Sequence, residues 1–359
     1  MKLSVIIANY NYQDYVSDAI SSALAIDWRD KEVIVVDDAS TDNSRKIIEG
    51  FRDRVAAYFR PKSNQLGAHI YGFEQSTGDV IIFLDADDLL EPEVMQEVAK
   101  VWRAGVSKVQ FRMNSISADG TQLGTGFPQF PPKNDPEKLR RDYLRTMAYT
   151  TPPGSGNAYS RDFVRNVFAS GPTIPQSDAV LLTLAPILGD VLTIRKPLAR
   201  YRSHPASYGG MQSLDAFKLR KQLYQDVERA RLFTSVCRQL RLTVPQDPLR
   251  YNLNHLQYRL ASYLAGASAH PFQKDTISGL VYRLASAASR SPQMRLRDRA
   301  ILITWAIICV LVPRRFRPNL ILWRFAPTSR PRVIKALLGA LSSLRSPRLP
   351  DRAETGLGQ

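Results

Sequence analysis

This sequence predicts an α/β fold: a mostly parallel sheet sandwiched by helices, followed by an α-helical extension. Three observations carry the prediction. Short, β-prone apolar runs alternate with helical patterns through the first part of the chain. These runs are apolar nearly throughout, as strands buried on both faces are. Residues 213–359 then turn helical and basic, with 25 Lys/Arg against 8 Asp/Glu, a net +17, while the first 212 residues carry a net −1. A near-neutral domain over 1–212 and a basic helical extension over 213–359 are two parts with separate tasks.

The elements follow in order. Leu3 to Ala8 is a first strand, closed by the polar and aromatic turn Asn9-Tyr10-Asn11-Tyr12. Tyr15 to Ala25 is a helix with Val16, Ala19, Ile20, Ala23 and Leu24 on one face. Glu32 to Val36 is a second strand that runs into Asp37-Asp38-Ala39-Ser40-Thr41-Asp42. Ser40 or Thr41 caps the helix bearing Ile47 and Ile48. Val55 to Phe59 is a third strand; Asn64 to Gly67 is a turn before a short helix to Gln75. Val80 to Leu84 is the fourth strand, and it delivers Asp85, Asp87 and Asp88. A strand pair is expected between 106 and 118, a mobile loop over 119–136 and a helix near 136–148. The stretch Thr150 to Tyr159, small residues around two prolines, reads as a rigid exposed turn. A helix over Ala179 to Leu188 and a strand over Val191 to Ile194 precede Pro197 to Pro205.

Two strands thus end in carboxylates on one side of the sheet, where open α/β sheets bind ligands. Clustered acids repel, and they are tolerated only if exposed, protonated or joined by a cation. Neither Gly-x-Gly-x-x-Gly nor a Walker-type Gly-Lys-Ser/Thr is present, so the two commonest phosphate cradles are missing. A divalent metal on Asp85 and Asp87 is the natural substitute.

Five motifs in this order resemble a family 2 glycosyltransferase. They are Ser4-Val-Ile-Ile-Ala-Asn-Tyr-Asn11, Val33-Ile-Val-Val-Asp-Asp-Ala-Ser-Thr-Asp42, Asn64-Gln-Leu-Gly67, Gly78 to Asp88, and Arg200-Tyr-Arg-Ser-His204. The resemblance covers residues 1–210 and implies a GT-A fold, the Rossmann-like architecture of nucleotide-diphospho-sugar transferases. It also implies a nucleotide-sugar donor, Mn2+ or Mg2+, and an inverting single displacement. By that resemblance Ala8, Tyr10, Asp38, Gly67 and Asp85 bind the nucleotide sugar. Tyr10 stacks on the base and Asp38 hydrogen-bonds it. Asp87 ligates the metal, with His204 near it, and Asp178 is the general base. The sequence departs from the family at Tyr71-Gly72, where an Arg-Asn pair is common, and at Ser177, where a Glu usually precedes the base. His69 and Lys62 are the replacement candidates for meeting the diphosphate.

Each assignment has an ordinary competitor. Tyr10 could be a plain aromatic, and Asp37 and Asp38 turn formers. Asp178 could cap the helix after it, and His204 with Pro205 could end a strand. Asp88 is assigned the ordinary task of capping the following helix, with Pro92 in its first turn. Tyr208 and the glycines after it read as a loop without a role.

The extension carries an amphipathic stretch from Leu214 to Phe233, a second helix over 250–265 and an apolar run over 300–312. That run is too short to span a bilayer, which takes about 20 residues. Arginines flank it, and Leu320 to Phe325 and Val333 to Leu341 repeat the mixture. Aromatic and apolar residues between arginines suit an anionic membrane surface; the competing reading is a core helix of a small helical domain. No nucleic-acid module accompanies the charge, so no nucleic-acid partner is expected. The last ten residues read as disordered. Cys237 and Cys309 are isolated and define no disulfide framework, and the amino terminus has a strand pattern rather than a leader. The expected protein is a cytoplasmic enzyme, peripheral on the membrane, acting on a glycan or lipid-linked acceptor in bacterial polysaccharide synthesis. A non-catalytic scaffold of the same fold and a nucleotidyltransferase are the alternatives.

Overall fold

The computed structural model describes residues 1–172, 174–204, 215–266, 270–291, 294–325 and 330–331. Tyr208 and its glycines, Val333 to Leu341 and the last ten residues lie outside them. The apolar runs become the centre of a sheet. β1 (Leu3–Asn9), β2 (Lys31–Asp37) and β4 (Val80–Asp85) are buried along almost their whole length. β1 pairs in parallel with β2 on one side and β4 on the other, and β3 (Ala56–Phe59) extends the row beyond β2. In this register Ala8 lies opposite Asp85 and Asn9 opposite Asp37, so the strands deliver their polar ends at one edge.

Side chains alternate across the pleat. Val5, Ile7, Ile82 and Leu84 face one core, shared with α1 (Val16–Leu24) and α4 (Val94–Val101). Ile6, Ile34, Val36 and Phe83 face the other, shared with α3 (Gln65–Glu74), α6 (Arg161–Ala169) and α7 (Ser177–Leu188). The short α2 (Ser44–Glu49) links β2 to β3. The Glu32 carboxylate ties the strand starts together, accepting from Lys2 Nζ (2.8 Å), Ser4 Oγ (2.6 Å) and the Thr77 N–H (2.6 Å). Against the cost of partial burial, these bonds hold its pKa down to about 2.

The first four strands are all parallel, as expected, and the second half of the sheet is mixed. β8 (Asn157–Ser160) runs antiparallel between β4 and β6 (Val106–Ser117), and β9 (Asp190–Ser203) lies parallel to β6. The order is β3-β2-β1-β4-β8-β6-β9-β5, with the two-residue β5 (Leu89–Leu90) on the edge and β7 (Gln122–Phe127) pairing β6 off that path. Four local expectations are corrected. Residues 106–118 form one long strand, not a pair. The expected mobile loop contains β7, whose glycines sit on an edge strand where pairing tolerates them. The expected exposed turn at 150–159 is buried: a 3-10 turn at Gly154–Gly156 leads straight into β8. A Cβ on Gly156 would stand 2.6 Å from Pro152 Cβ, so only glycine lets the chain fold back this tightly. Neither Ser40 nor Thr41 caps α2; Asn43 precedes it without a side-chain bond, and Asp42 accepts from the Ser44 N–H instead (2.9 Å).

After α5 (Pro136–Thr146) and β9 the chain continues into α8 (Ala216–Gln239), α9 (Leu253–Ala265), α10 (Ile277–Arg290), α11 (Leu296–Leu311) and α12 (Arg317–Phe325). The charge boundary near 212 is not a boundary of packing. Ala230, Phe233 and Cys237 of α8 join the same core as Phe83 and Leu181. Helices α9 to α12 build smaller clusters, one around Leu256, Leu284 and Leu302 and one in which Leu219 of α8 joins Ala261, Cys309 and Ile321. No helix among the described residues is long and apolar enough to cross a membrane.

Gly78 sits where β4 leaves the turn, and a Cβ there would lie 2.6 Å from Ser4 N and 2.8 Å from Leu3 C. Because these are backbone atoms of the central strand, Gly78→Ala is expected to cost about 1–3 kcal/mol of stability. Gly124→Ala, with open space around it, should change stability by less than about 0.5 kcal/mol. Urea midpoints of the two variants test this, and equal midpoints would refute it.

Candidate active site

The carboxyl ends of β1, β2 and β4 open into a cavity of about 560 Å3. Ala8, Tyr10, Asp38, Asp85, Asp87 and Asp178 all line it. Their placement follows from local turns. After β1, Asn9 Nδ2 donates to Asp37 Oδ1 (2.7 Å), and the Ser40 N–H donates to Asp37 Oδ2 (3.0 Å). Asp37 is thereby consumed as a structural partner, and Ala39, in a left-handed conformation (φ 65°), turns the chain beyond Asp38. Asp38 is buried and accepts from Ser63 N and Oγ (both 2.7 Å) and pairs with Lys62 Nζ at 3.1 Å. The same ammonium lies 2.8 Å from the centre of the Tyr10 ring, which is 43% exposed at the cavity.

The acids after β4 are crowded. One oxygen from each of Asp85, Asp87 and Asp88 lies within 4.8 Å of the others. Burial, then the charges of Asp178, Asp88 and Asp87, push Asp85 well above the ordinary carboxylate range, although Gln65 Nε2 donates to it at 3.2 Å. Burial and the Asp87 charge push Asp88 up to about 8. Asp88 does not cap a helix as expected. It is fully buried, its Oδ1 accepts the Arg202 N–H (2.9 Å), and α4 starts later, after Glu93. Its Oδ2 is buried without a hydrogen-bond partner. His204, at the end of β9, is also buried, with Nε2 3.0 Å from Asp87 Oδ2 and its ring 4.7 Å from that of Tyr15.

Asp178 is the second residue of α7, not its cap, which is Gln176. Burial pushes it up to about 6, opposed by the Lys108 charge and by the Gly154 N–H it accepts. Gly154 is required here, since a Cβ would stand 2.5 Å from Asp178 Oδ2. Lys108 is buried and donates to Tyr149 Oη and Thr151 Oγ1, both at 2.9 Å; burial holds it well below the usual lysine range.

Gly67 does not line the cavity. It packs in the first turn of α3, donating to Asn64 Oδ1 (3.0 Å), while its neighbours Gln65 and Ala68 face the space. His69 is excluded as a phosphate ligand. It is buried against Phe83, bonded to Ser177 Oγ (2.5 Å), and burial lowers its pKa to about 3, so it is neutral. The other candidate, Lys62, does reach the cavity. Tyr71-Gly72 lies away from it: Tyr71 stacks under Arg60, and a Cβ on Gly72 would be 2.5 Å from Ile6 Cγ2. Close packing of α3 on the sheet therefore excludes a larger residue at 72.

Comparison with known proteins settles the family. The model of the family described as "Glycosyl transferase family 2" matches residues 4–168. A protein of Nostoc sp. named as an uncharacterised glycosyltransferase is 37% identical over 215 residues, 58% of this chain and 66% of that one. Residues 4–168 form a glycosyl transferase family 2 domain. A Campylobacter jejuni relative, named GalNAc(5)-diNAcBac-PP-undecaprenol beta-1,3-glucosyltransferase, is 29% identical over 148 residues, 40% of this chain and 47% of that one. The chain covers less than two thirds of either relative. In fold it is similar to Staphylococcus aureus TarS 1–349, whose crystal structure holds UDP-GlcNAc, with a TM-score of 0.53 at 16% identity over 91% of both chains.

Set in this family, several residues around the cavity went unassigned from sequence. Tyr12 lines it, and burial and the three acids push its hydroxyl up. Ser155 Oγ accepts the Asp85 N–H (3.1 Å). Arg202, two residues before His204 and so on the same strand face, gave the one readable signal. Its Nε donates to Asp87 O (2.9 Å), Nη1 to Ala118 O (2.8 Å) and Nη2 to Asp18 Oδ2 (2.9 Å). Gln222, Gln225 and Arg229 of α8 also line the cavity, which nothing in the tail's composition suggested.

Arg202 ties the acidic turn, at Asp87 O, to Ala118 O and Asp18 Oδ2, so Arg202→Met should lower unfolding free energy by about 2–4 kcal/mol. Arg202→Lys should recover less than half of that, because one ammonium cannot reach three divergent acceptors. Urea denaturation of the three proteins decides the matter; full recovery by lysine would remove the geometric argument.

Proposed function

We propose that this family 2 chain is an inverting, divalent-metal-dependent glycosyltransferase. It would move a sugar from a nucleotide-diphosphate sugar to a hydroxyl of a glycan or lipid-linked acceptor in the cell envelope. The observation that carries this is the convergence of Asp85, Asp87 and Asp178 with Tyr10 and Asp38 on one cavity. The undecaprenol-linked substrate in the Campylobacter relative's name supports the acceptor class, and the UDP-GlcNAc bound to TarS supports a uridine diphosphate sugar as donor.

The acidic cluster fits a hard cation. Its donors are carboxylate oxygens with one imidazole beside them, burial and then the neighbouring charges push Asp85 and Asp88 up, and Asp88 Oδ2 is an orphan. Asp87 and His204 would hold Mn2+ or Mg2+, with Asp85 toward the donor, and the ion would offset charge developing on the leaving diphosphate. The exposed Tyr10 ring offers a face to the base, which requires Lys62 to swing away. Asp38 would accept from a base N–H. Asp178 would take the proton of the attacking hydroxyl. Its pKa near 6 leaves it ionised at neutral pH yet more basic than an ordinary aspartate. Attack from the face opposite the leaving group inverts the anomeric centre.

A second reading adds a membrane surface. Helix α11 buries Leu302, Ala306 and Cys309, as a core helix does, but leaves Ile307, Ile308 and Leu311 exposed. Phe316 is exposed close by, next to Arg314 and Arg315. Such an apolar patch with cations at its edge suits an anionic interface.

A thermal-shift screen of nucleotide sugars with Mn2+ identifies the donor. With it, Asp178→Asn should lose about 10²–10⁴-fold in transfer while keeping the nucleotide-induced shift. Asp87→Ala should lose both transfer and the metal-dependent shift. Asp178 works as a base only when ionised, so wild-type kcat should fall about tenfold per unit below pH 6 and level off above it. Transfer surviving in Asp87→Ala sinks the metal reading, and donor binding without turnover across a broad acceptor set favours a scaffold. For the membrane, the full chain should float with phosphatidylglycerol vesicles at low salt and not with phosphatidylcholine. Ile308→Asp with Leu311→Asp should abolish flotation; undiminished flotation would discard this patch.

A further inference from the structure

The helix that walls the cavity, α8, has a second stripe. Phe217, Arg220, Lys221, Tyr224 and Glu228 recur at three- and four-residue spacing and share one side of the helix. Opposite them lie Ile174, Pro175 and Gln176, on the segment that leads into α7, and the two sides bound a groove of about 550 Å3. Gln176 and Gln225 line both this groove and the donor cavity. The two spaces therefore adjoin beside Asp178, two residues beyond Gln176.

The chemistry of the groove is aromatic and cationic. Phe217 is 73% exposed and Tyr224 49% exposed, two turns apart or about 10 Å along the axis. Single exposed apolar residues are ordinary, but here two rings share a groove that runs to a reaction centre. The Arg220 guanidinium lies 5.5 Å from the centre of the Tyr224 ring, with Nη2 3.4 Å from its hydroxyl, so ring and cation form one unit. Glu228, the acid in the groove, is paired with Arg231 (2.5 Å). The groove thus presents two basic side chains, Arg220 and Lys221, beside two ring faces.

We propose that this groove seats the acceptor, and that the acceptor is an acidic glycan. The apolar faces of its sugar rings would pack on Phe217 and Tyr224. Its negative groups would face Arg220 and Lys221. Its terminal hydroxyl would pass between Gln176 and Gln225 to Asp178. This rests on the transferase reading above and adds the class of acceptor.

The test is fluorescence anisotropy of the full chain with two labelled probes of ten sugars, oligogalacturonate and neutral maltodecaose. Oligogalacturonate should bind at least tenfold more tightly. Arg220→Ala with Lys221→Ala should weaken it at least tenfold, and Phe217→Ala with Tyr224→Ala should weaken it about fivefold. Arg314→Ala with Arg315→Ala removes the same charge away from the groove and should leave it unchanged. All three variants should keep the thermal shift with UDP and Mn2+, which separates the groove from the donor site. Equal affinity for the two probes, no loss in the groove variants, or an equal loss in the Arg314/Arg315 control would overturn the proposal. A wild-type chain that binds oligogalacturonate in the groove but shifts with no nucleotide sugar would overturn the transferase reading and leave the groove standing.

Discussion

Repulsion among Asp85, Asp87 and Asp88 is the constraint on which the site's architecture depends. Three carboxylates on one turn cannot all stay ionised and buried without compensation, and burial has already raised two of them. Polar groups on separate elements hold the turn in place. Ser155 anchors the Asp85 amide from the turn before β8, Gln65 reaches its carboxylate from α3, and Arg202 grips the Asp87 carbonyl from β9. The turn is therefore assembled by the second half of the sheet. A parallel four-strand unit alone would present the acids but could not hold them, which gives the antiparallel β8 and the long β9 a physical task.

The same logic applies to the basic extension. Its first helix is welded into the core beside α7, so the side chains it presents to the cavity are held by packing rather than by a linker. Asp226 illustrates the coupling. Despite burial, the hydrogen bond from His255 and the charge of Arg229 hold its carboxylate below the usual range. Arg229 in turn lines the cavity, and His255 belongs to α9. A path of hydrogen bonds and ion pairs thus runs from the helical layer to the donor space. The excess positive charge that marks the tail in the sequence does not reveal this contribution, which α8 residues carry at the cavity.

How legible was this from sequence? Apolar runs that meet a polar end were read well, because burial on two faces leaves one composition and one exit. Tyr10, Asp38, Asp85 and Asp87 reached the same cavity for that reason, while Asp178, assigned by the family resemblance, reaches it from the start of α7. The failures are of another kind. The 150–159 stretch looked exposed because Gly and Pro usually mark turns, yet its glycines are there to allow close approach to Asp178 and Pro152. Asp88 looked like a cap because an acid before an apolar run usually is one. Its real partner, the Arg202 backbone, lies 114 residues away and leaves no local trace. His69 looked like a ligand by type alone, and only its burial against Phe83 shows otherwise. Long-range pairing decided each of these cases, and a periodicity cannot carry it.

The surroundings of Asp178 show why such pairing matters for chemistry. A base in this position must be dry enough to be basic and stabilised enough to stay ionised. Burial alone would raise its pKa until it was protonated at neutral pH, and an ordinary ion pair would pull it too low to accept a proton. The fold sets Lys108 where it opposes the burial, yet directs hydrogen bonds of its ammonium to Tyr149 and Thr151, while the Gly154 N–H supplies one bond to the carboxylate. The result lies between the extremes, near 6. Gly154 is the cheapest part of this balance and the least replaceable, since any Cβ there would stand where the carboxylate does. A serine before the aspartate, in place of a second acid, fits the same balance. Ser177 is spent on a neutral His69, so no second acid stands directly before Asp178.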